Sequence, residues 1–559
     1  MKWKTEKKKL KRENPSDKKL IKPIKVRIKK RVSVTKTITV GLPSVKNIVT
    51  SNLEISCEFV SGVVGGFTGS SILLSIKQGK SVTKILVDAG LVQGNPRKLI
   101  ENNQAVLQAL NPKLIDLIIL THAHGDHVGL LPALFKHGFR GRIFCTEATA
   151  DFLKVVLEEG VKIQAETVRR KLRLRGKKPL RNLVESQAKF PNKYDEFKTT
   201  NKYQKGLAGK VLGAVADVDK TCDLIKNDGF KYQEWIKLFN GCSLKFYESG
   251  HMLGGAICVL HLKDRLRKDI YLGFSGDLGR GDSIILPPSA KVREPLDYWF
   301  TESTNGGIKH PKRDQEIRKL LTMIRGAVEK KQKVIIPSSV LEKSQELVYL
   351  LSHHMAIGDI PKIDIYLDSP MGIKILDIYA SKWGQGLFAD QGKLTFNPFN
   401  QAENKFLKTV LKHFDSECLI AEPGPYIVIA GSNTCNFGRV VDHLRASLSD
   451  SNTVVCLVGY MPRYSLGDKL KRGDLMVNID GKKIAVKAKM ISADIFSAHA
   501  DGPFLVSYAK SLNYKFDFKV FITHGDEKNA RFLKKSLMNT LPKGRGKIVI
   551  PKINQKIIL

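Results

Sequence analysis

The stretch DLIILTHAHGDHVGLLP, residues 116–132, places three histidines and one aspartate within six positions, directly after an apolar run. Histidine is scarce in this chain, with 13 in 559 residues. Along an extended segment, a spacing of two points His122 and His124 to the same side, whereas Asp126 and His127 follow where the chain turns. Imidazole and carboxylate groups at this spacing suit zinc or a similar divalent ion. The stretch therefore predicts a metal site at the end of a buried strand.

A centre with two metals needs more ligands than one loop can provide. Polar side chains also end or follow other predicted apolar strands. A lone His or Asp is more often structural than a ligand, but a shared position at strand ends favours a common site. The candidates are Asp88, His251, Asp277, Glu302, His499 and His524.

Composition indicates a folded chain, with 42% apolar and 8% aromatic residues. No apolar run approaches the roughly 18 residues of a membrane helix, and no secretory signal is recognisable at the N-terminus. The eight cysteines form no C-x-x-C pair, which is typical of free thiols in a reducing compartment. We therefore expect a cytoplasmic protein with no membrane partner.

The formal net charge of +39 indicates an anionic partner, since a chain this basic repels itself. Residues 1–36 hold 16 Lys or Arg and three acids, and RRKLRLRGKKPLR (169–181) is a second basic run. Nucleic acid fits best, because phosphate contacts supply most non-specific affinity. The tail, residues 1–49, is expected to be flexible and to contact RNA or the ribosome. A mitochondrial transit peptide is the alternative.

The pattern of predicted elements changes twice along the chain. From about residue 50, short β-branched runs such as KILVD (84–88) and DIYLGFSGD (269–277) predict strands with helices between them. A basic, weakly periodic insertion covers about 165–215. Between 310 and 485, helices alternate with strands such as KVIIP (333–337), which predicts a parallel sheet in a separate domain. Strands resume after 485.

Taken together, these motifs resemble a known family. THAHGDHVG, with LVDAGLVQG before it and GHMLGGA and GFSGDLGR after it, resembles the metallo-β-lactamase fold. The segments FTESTNGG, FSAHAD and FITHGD look like the β-CASP branch, the nucleases that process RNA or DNA. The likeness covers roughly residues 52–559 and is strongest to prokaryotic relatives of the cleavage and polyadenylation specificity factor endonuclease.

The resemblance implies an α/β protein with an αββα sandwich and an inserted α/β cap. Residues 50–309 and 486–559 would form the sandwich, and residues 310–485 would form the β-CASP cap. Two zinc ions are implied, with manganese as an alternative. The residues that the resemblance assigns to the first metal are His122, His124 and His251; those for the second are Asp126, His127 and His524; Asp277 would bridge the two metals and Asp88 would orient a ligand or the water.

By residue type and by resemblance, the expected reaction is hydrolysis of RNA phosphodiester bonds by a metal-bridging hydroxide. Two ions about 3.5–4 Å apart would lower the pKa of that water and neutralise charge on the phosphate. His499 is the expected general acid for the leaving oxygen, oriented by Glu302, with Asp126 and Asp277 completing the catalytic set. The products implied by the resemblance carry a 5′-phosphate and a 3′-hydroxyl.

The chain departs from the family pattern mainly in the cap. Lys343 and Ser344 stand near the QEL helix where relatives commonly carry an Arg, and Asn433–Thr434 replaces a Gly-Met pair. The cap residues expected to bind substrate are Lys343, Ser432 and Arg439. A Lys cannot clamp a phosphate bidentately as an Arg does.

Several readings stay open at this level. His524 favours RNA over DNA, because DNA-repair members typically carry an apolar residue there, and the RNA is expected to be single-stranded; a β-CASP DNA nuclease is the runner-up. Endonucleolytic cutting is preferred, and a 5′-exoribonuclease is the alternative. A small-substrate metallohydrolase and a non-catalytic RNA-binding subunit are less favoured, since the cap, the charge and all seven ligand positions are present. A homodimer is left open.

Overall fold

The structure, a computed structural model, describes residues 53–65, 68–92, 99–174, 214–263, 269–389, 394–459, 461, 463–493, 497–542 and 546–559. The basic tail of residues 1–49 lies outside these ranges, as does most of the predicted 165–215 insertion. A helix runs from Glu147 to Leu174, so the first part of the predicted insertion continues that helix.

The first sheet has six strands in the order β21-β1-β2-β3-β4-β5. β1, β2 and β3 pair antiparallel, whereas β3, β4 and β5 pair parallel. Its strands are β1 Leu53–Ser61, β2 Ser71–Gln78, β3 Ser81–Val87, β4 Leu117–Ile119, β5 Arg142–Phe144 and β21 Gln555–Ile558.

The second sheet has seven strands in the order β20-β19-β10-β9-β8-β7-β6. β9, β10 and β19 run parallel to one another, and β7 and β8 form an antiparallel hairpin. Its strands are β6 Trp235–Phe239, β7 Cys242–Glu248, β8 Ala256–Lys263, β9 Asp269–Phe274, β10 Leu296–Thr301, β19 Tyr514–Ile522 and β20 Gly546–Val549.

A buried apolar layer joins the inner faces of these two sheets. Four phenylalanine rings form its centre: Phe300 lies 4.4 Å from Phe274, 4.8 Å from Phe521 and 6.0 Å from Phe59 between ring centroids. Phe59 belongs to the first sheet and the other three to the second. Ring pairs at such distances contribute about 0.5–1.5 kcal/mol each beyond the area they bury. This cluster fixes the two sheets against each other.

Helices cover the outer faces of these two sheets and flank a third sheet, which is described below. Helices α1 to α5 lie in the first half of the chain, α6 to α11 flank the third sheet, and α12 and α13 pack on the second sheet. They are α1 Leu99–Leu110, α2 Gly125–Val128, α3 Leu131–Lys136, α4 Glu147–Leu174, α5 Val215–Cys222, α6 Arg313–Glu329, α7 Lys343–Ala356, α8 Pro370–Lys382, α9 His413–Ala421, α10 Val440–Ser447, α11 Leu466–Lys471, α12 Gly502–Ser511 and α13 Glu527–Thr540.

The third sheet is parallel throughout and has the strand order β13-β12-β14-β11-β15-β18. A separate hairpin joins β16 Met476–Ile479 to β17 Lys482–Ala485. The strands of the third sheet are β11 Lys333–Pro337, β12 Ile365–Asp368, β13 Leu407–Thr409, β14 Tyr426–Ala430, β15 Thr453–Leu457 and β18 Lys489–Ser492.

The predicted fold class, a layered αββα sandwich with a separate parallel α/β sheet, is confirmed. One boundary differs from the sequence pattern. β18 pairs with β15 and therefore extends the third sheet beyond residue 485. A local β pattern cannot reveal which sheet edge a strand will join, so we propose that the cap ends near residue 493. In the described part of the chain, no helix combines the length and apolar character needed to cross a bilayer.

The direction of the strands brings the predicted site residues to one edge of the sandwich. β3 and β4 run parallel in the first sheet. β9, β10 and β19 run parallel in the second, and β7, reversed twice through β8, shares their direction. The polar residues that follow these six strands therefore gather at one edge of the sandwich.

Candidate metal centre

Four side chains from three separate loops form the first metal-ligand group. His122 and His124 follow β4, His251 follows β7 and Asp277 follows β9, and one ligand atom from each lies within 4.8 Å of the others. Asp277 Oδ2 lies 3.5 Å from His122 Nε2 and 3.5 Å from His251 Nε2. His124 Nδ1 lies 3.1 Å from His251 Nε2.

The second group uses the other oxygen of the same aspartate. Asp277 Oδ1 lies 3.4 Å from His127 Nε2 and 3.3 Å from His524 Nδ1. Asp126 Oδ2 lies 3.5 Å from His524 Nε2, and the three side chains of this group form a second compact cluster. Asp277 thus presents one oxygen to each group, which is the arrangement of a carboxylate shared by two cations.

The buried atoms of the cluster fit divalent metal ions. Ligands held tetrahedrally at about 2.0–2.2 Å from one ion lie about 3.3–3.6 Å from each other, close to the separations above. Within the described residues, His122 Nε2, His127 Nε2 and Asp277 Oδ1 are buried without a hydrogen-bond partner. Orphaned polar atoms are rare in folded proteins. All three belong to the two ligand groups, which indicates that the cluster is built to hold a cation.

Asp88 fixes the orientation of two of these imidazoles. Its Oδ2 accepts a hydrogen bond from His127 Nδ1 at 2.8 Å and from the Thr121 hydroxyl at 2.9 Å. The Thr121 hydroxyl, having donated its proton to Asp88, accepts from His122 Nδ1 at 3.0 Å. Both Nδ1 atoms therefore carry protons, and the Nε2 atom of each ring is the one that faces Asp277 in the cluster.

Burial and charge set the protonation of the cluster. Burial lowers the pKa of His122 and His251 well below its usual range, and lowers that of His124 to about 4. Those three rings are therefore neutral, as metal ligands must be. In the second group burial also opposes charge, yet Asp277 raises the pKa of both histidines. Burial favours a neutral Asp277, yet the surrounding histidines hold its pKa well below the ordinary value. The carboxylate stays ionised.

Glu302 and His499 form a pair at the rim of the cluster. His499 Nδ1 donates to Glu302 Oε2 at 3.1 Å, and His499 keeps about a quarter of its side chain exposed. Glu302 is held in turn by the backbone N–H of Leu278 at 2.6 Å. Burial opposes a charged ring, but Glu302 and Asp277 raise the pKa of His499 to about 9. The pair therefore presents a protonated imidazole beside the metal ligands.

Sequence reasoning missed the residues that hold the His499 loop. His310 Nε2 donates to the His499 carbonyl at 3.0 Å, and its backbone N–H donates to Asp501 Oδ2 at 3.0 Å. Asn305 Nδ2 donates to the Ser497 hydroxyl at 3.2 Å. No local motif announces these contacts, since they join segments nearly 200 residues apart. They tie the segment that enters the third-sheet region to the loop that carries His499.

The three substrate-binding candidates lie in the third-sheet region and not at the strand ends of the cluster. Lys343 is half-buried at the start of α7, and burial lowers its pKa to about 8. The Ser432 hydroxyl donates to the Phe437 carbonyl. Arg439 binds Asp368 Oδ1 and the carbonyls of residues 410 and 411. These contacts hold its guanidinium to the end of β12 and to the segment after β13, and the substrate contact of Arg439 stays a prediction.

Substitution Asp88→Asn is expected to weaken metal binding about 10- to 100-fold, the usual cost of losing a partner that orients a ligand. An amide oxygen carries no full negative charge, so it accepts the hydrogen bonds from His127 and Thr121 more weakly than the carboxylate does. Asn is the clean replacement, because residue 88 has φ of 59° and Asn tolerates that region. Metal titration monitored by calorimetry measures the effect. An unchanged metal dissociation constant would contradict the orienting role.

Comparison with known families assigns three parts of the chain. Residues 64–154 match the metallo-beta-lactamase superfamily, residues 344–470 match the Beta-Casp domain, and residues 483–551 match the Zn-dependent metallo-hydrolase RNA specificity domain. The sandwich and its His/Asp cluster thus define a metal-dependent hydrolase of the metallo-β-lactamase fold that binds divalent metal.

Comparison with whole proteins narrows the class of hydrolase to which the chain belongs. Ribonuclease TTHA0252 of Thermus thermophilus is 30% identical over 85% of this chain and 94% of its own length. Transcription termination factor FttA of Methanosarcina mazei is 26% identical over 80% of this chain, which spans 64% of that protein. An RNase J-like protein of Methanocaldococcus jannaschii is 25% identical over 77% of this chain and 86% of its length. The chain belongs to the β-CASP family of metallo-β-lactamase-fold proteins.

Proposed function

We propose that the protein is a zinc-dependent ribonuclease that hydrolyses phosphodiester bonds of single-stranded RNA, cutting internally. The observation that carries this proposal is the placement of Asp277, which faces one ligand group with each oxygen, beside the Glu302–His499 pair. A ribonuclease among the relatives and the match to an RNA specificity domain support RNA as the substrate. The charge of +39 fits a polyanion.

Two zinc ions are proposed for the two ligand groups, with manganese as the alternative. His122, His124 and His251 would hold one ion, Asp126, His127 and His524 the other, and Asp277 both. Such a pair of ions supplies Lewis-acid charge that favours deprotonation of water and neutralises phosphate oxygens. His and carboxylate ligands without thiolates suit either metal.

The protein's own residues supply orientation and a proton. Asp88 and Thr121 orient the His122 and His127 imidazoles so that Nε2 of each ring faces the cluster. Glu302 holds the Nδ1 proton of His499, so His499 Nε2 is the atom that donates a proton to the leaving 3′-oxygen. His310 fixes the backbone of that loop. A positioned acid of this kind contributes about 10²- to 10⁴-fold to the rate.

The decisive experiment incubates zinc-loaded protein with single-stranded RNA and DNA of one sequence, each labelled at the 5′ end or internally. We expect internal cuts in RNA that leave 5′-phosphate and 3′-hydroxyl ends, lost with a chelator and restored by zinc. Cleavage of DNA at the same rate would contradict the RNA assignment. A ladder of 5′-mononucleotides without internal cuts would contradict the endonucleolytic mode and favour a 5′-exoribonuclease.

A further inference from the structure

Two large apolar side chains are exposed where helix α13 packs against the segment that follows Glu302. Ile308 and Phe532 keep 45% and 58% of their surface accessible. Gly307 lies directly against the Phe532 side chain, because a Cβ added at Gly307 would lie 3.3 Å from Phe532 Cβ. Large apolar groups exposed together mark interaction sites more often than isolated ones do.

Helix α13 places basic side chains around this pair. Lys528 and Lys535 lie four residues before and three residues after Phe532, Arg531 is its direct neighbour in sequence, and all three are exposed. Over the whole helix there are four basic residues and one acid. That acid, Glu527, pairs with Arg531 in an exposed contact, which is worth little and exchanges readily for a phosphate. We name Ile308, Lys528, Arg531, Phe532 and Lys535 the α13 surface.

The α13 surface is held rigidly to the catalytic segment. Asn529 Oδ1 accepts from the backbone N–H of Gly307 at 3.3 Å, and Asn529 Nδ2 donates to the Thr304 carbonyl at 2.8 Å. Gly306 packs so closely on α13 that an added Cβ would lie 2.7 Å from the Asn529 carbonyl oxygen. The helix therefore cannot shift without moving the segment that carries Glu302.

The helix also begins next to a metal ligand. Asp526 caps α13 by accepting from the Asn529 N–H at 2.8 Å, only two residues after His524. At 1.5 Å per residue, Phe532 lies about 9 Å along the axis from that cap. A strand whose phosphate occupies the metal centre has its flanking nucleotides within reach of this face.

From these contacts we propose that the α13 surface binds the single-stranded RNA that flanks the cut, with a base stacked on Phe532 and phosphates on Lys528 and Lys535. An exposed ring surrounded by lysines is the combination that single-strand binding proteins use. This inference rests on the proposed function, since it names where the substrate of that site continues.

The test compares Phe532→Ala with Phe516→Ala in the full-length, zinc-loaded protein. Phe516 is as exposed, at 65%, but lies in the first half of β19, remote from the strand end that carries His524. Phe532→Ala is expected to raise the KM for single-stranded RNA roughly 5- to 100-fold. Hydrolysis of bis(p-nitrophenyl) phosphate, which is too small to reach α13, should be unchanged. Equal KM values for the two variants would overturn the proposal.

Two double variants, one on the α13 surface and one control elsewhere, test the phosphate contacts. Lys528→Ala with Lys535→Ala should reduce the slope of log affinity against log salt by about 1.4, since each single-strand phosphate contact contributes about 0.7. The matched control removes Lys237 and Lys263, two exposed lysines on β6 and at the end of β8. A slope that falls equally in both double variants would show general charge attraction and contradict a defined surface.

Failure of the proposed function and of this inference can be told apart. If the wild-type protein cleaves neither RNA nor the small diester, the ribonuclease proposal fails. In that case the RNA stays intact, and its binding to the two Phe variants and the two double Lys variants is measured directly by fluorescence anisotropy. Weaker binding confined to the α13 variants would still support the surface, and identical binding would reject it.

Discussion

Substitution Asp277→Asn is expected to remove at least one bound metal ion and to lower RNA cleavage by about 10²- to 10³-fold. Asp277 is the carboxylate that faces both ligand groups, with Oδ2 toward His122 and His251 and Oδ1 toward His127 and His524. An amide keeps the shape but places N–H hydrogens toward one cation. Metal-ion charge stabilisation is worth several kcal/mol, which sets this magnitude.

Metal content by mass spectrometry and cleavage rate are measured on the same preparation. The control is Asp359→Asn, because Asp359 is a half-exposed carboxylate that also pairs with a histidine, His354. It should keep two ions and full activity. Two ions retained in the Asp277 variant, with cleavage within about tenfold of wild type, would show that neither group depends on a shared carboxylate.

The THAHGDH stretch shows how much of the candidate metal site can be predicted from local sequence. Its spacing predicts that His122 and His124 share a side, and the structure places both in one group, with Asp126 and His127 in the other. Local spacing suffices here because the four residues belong to one turn. His251 and His524 come from loops more than 120 and nearly 400 residues away, and only strand-end position and family resemblance select them.

Other features depend on packing that no local pattern encodes. The run around 489–492 is β-like by sequence, but the sequence does not show which sheet it joins. In the structure it pairs with β15 and extends the third sheet. Arg439 is a predicted substrate contact by sequence, and only the structure reveals its contacts with Asp368 and two carbonyls. His310 bears no motif, and its contact with the His499 carbonyl follows from how two distant segments meet.

Substitution His499→Ala is expected to lower RNA cleavage about 10²- to 10⁴-fold while leaving metal content unchanged. His499 contacts Glu302 at 3.1 Å and lies 3.8 Å from Asp277, so it adjoins the ligands without belonging to either ligand group. On the proposed mechanism, its loss removes the proton donor and leaves the candidate metal ligands in place. His354→Ala, which breaks a surface His–Asp pair at 2.7 Å, is the control and should cleave normally.

A substrate with a 3′-bridging sulfur separates proton donation from simple misfolding. A thiolate leaves without help from an acid, so His499→Ala should cleave this linkage at a rate close to that of wild type, whereas a distorted metal centre would be slow on both linkages. Glu302→Gln should behave as a partial version, because the amide oxygen still accepts from His499 Nδ1 but no longer favours its charged form. Equal loss on the oxygen and sulfur linkages would assign His499 to the architecture of the site. Selective rescue by sulfur would show that His499 supplies the proton to the leaving oxygen, and Nε2 is the ring nitrogen that Glu302 leaves free for this role.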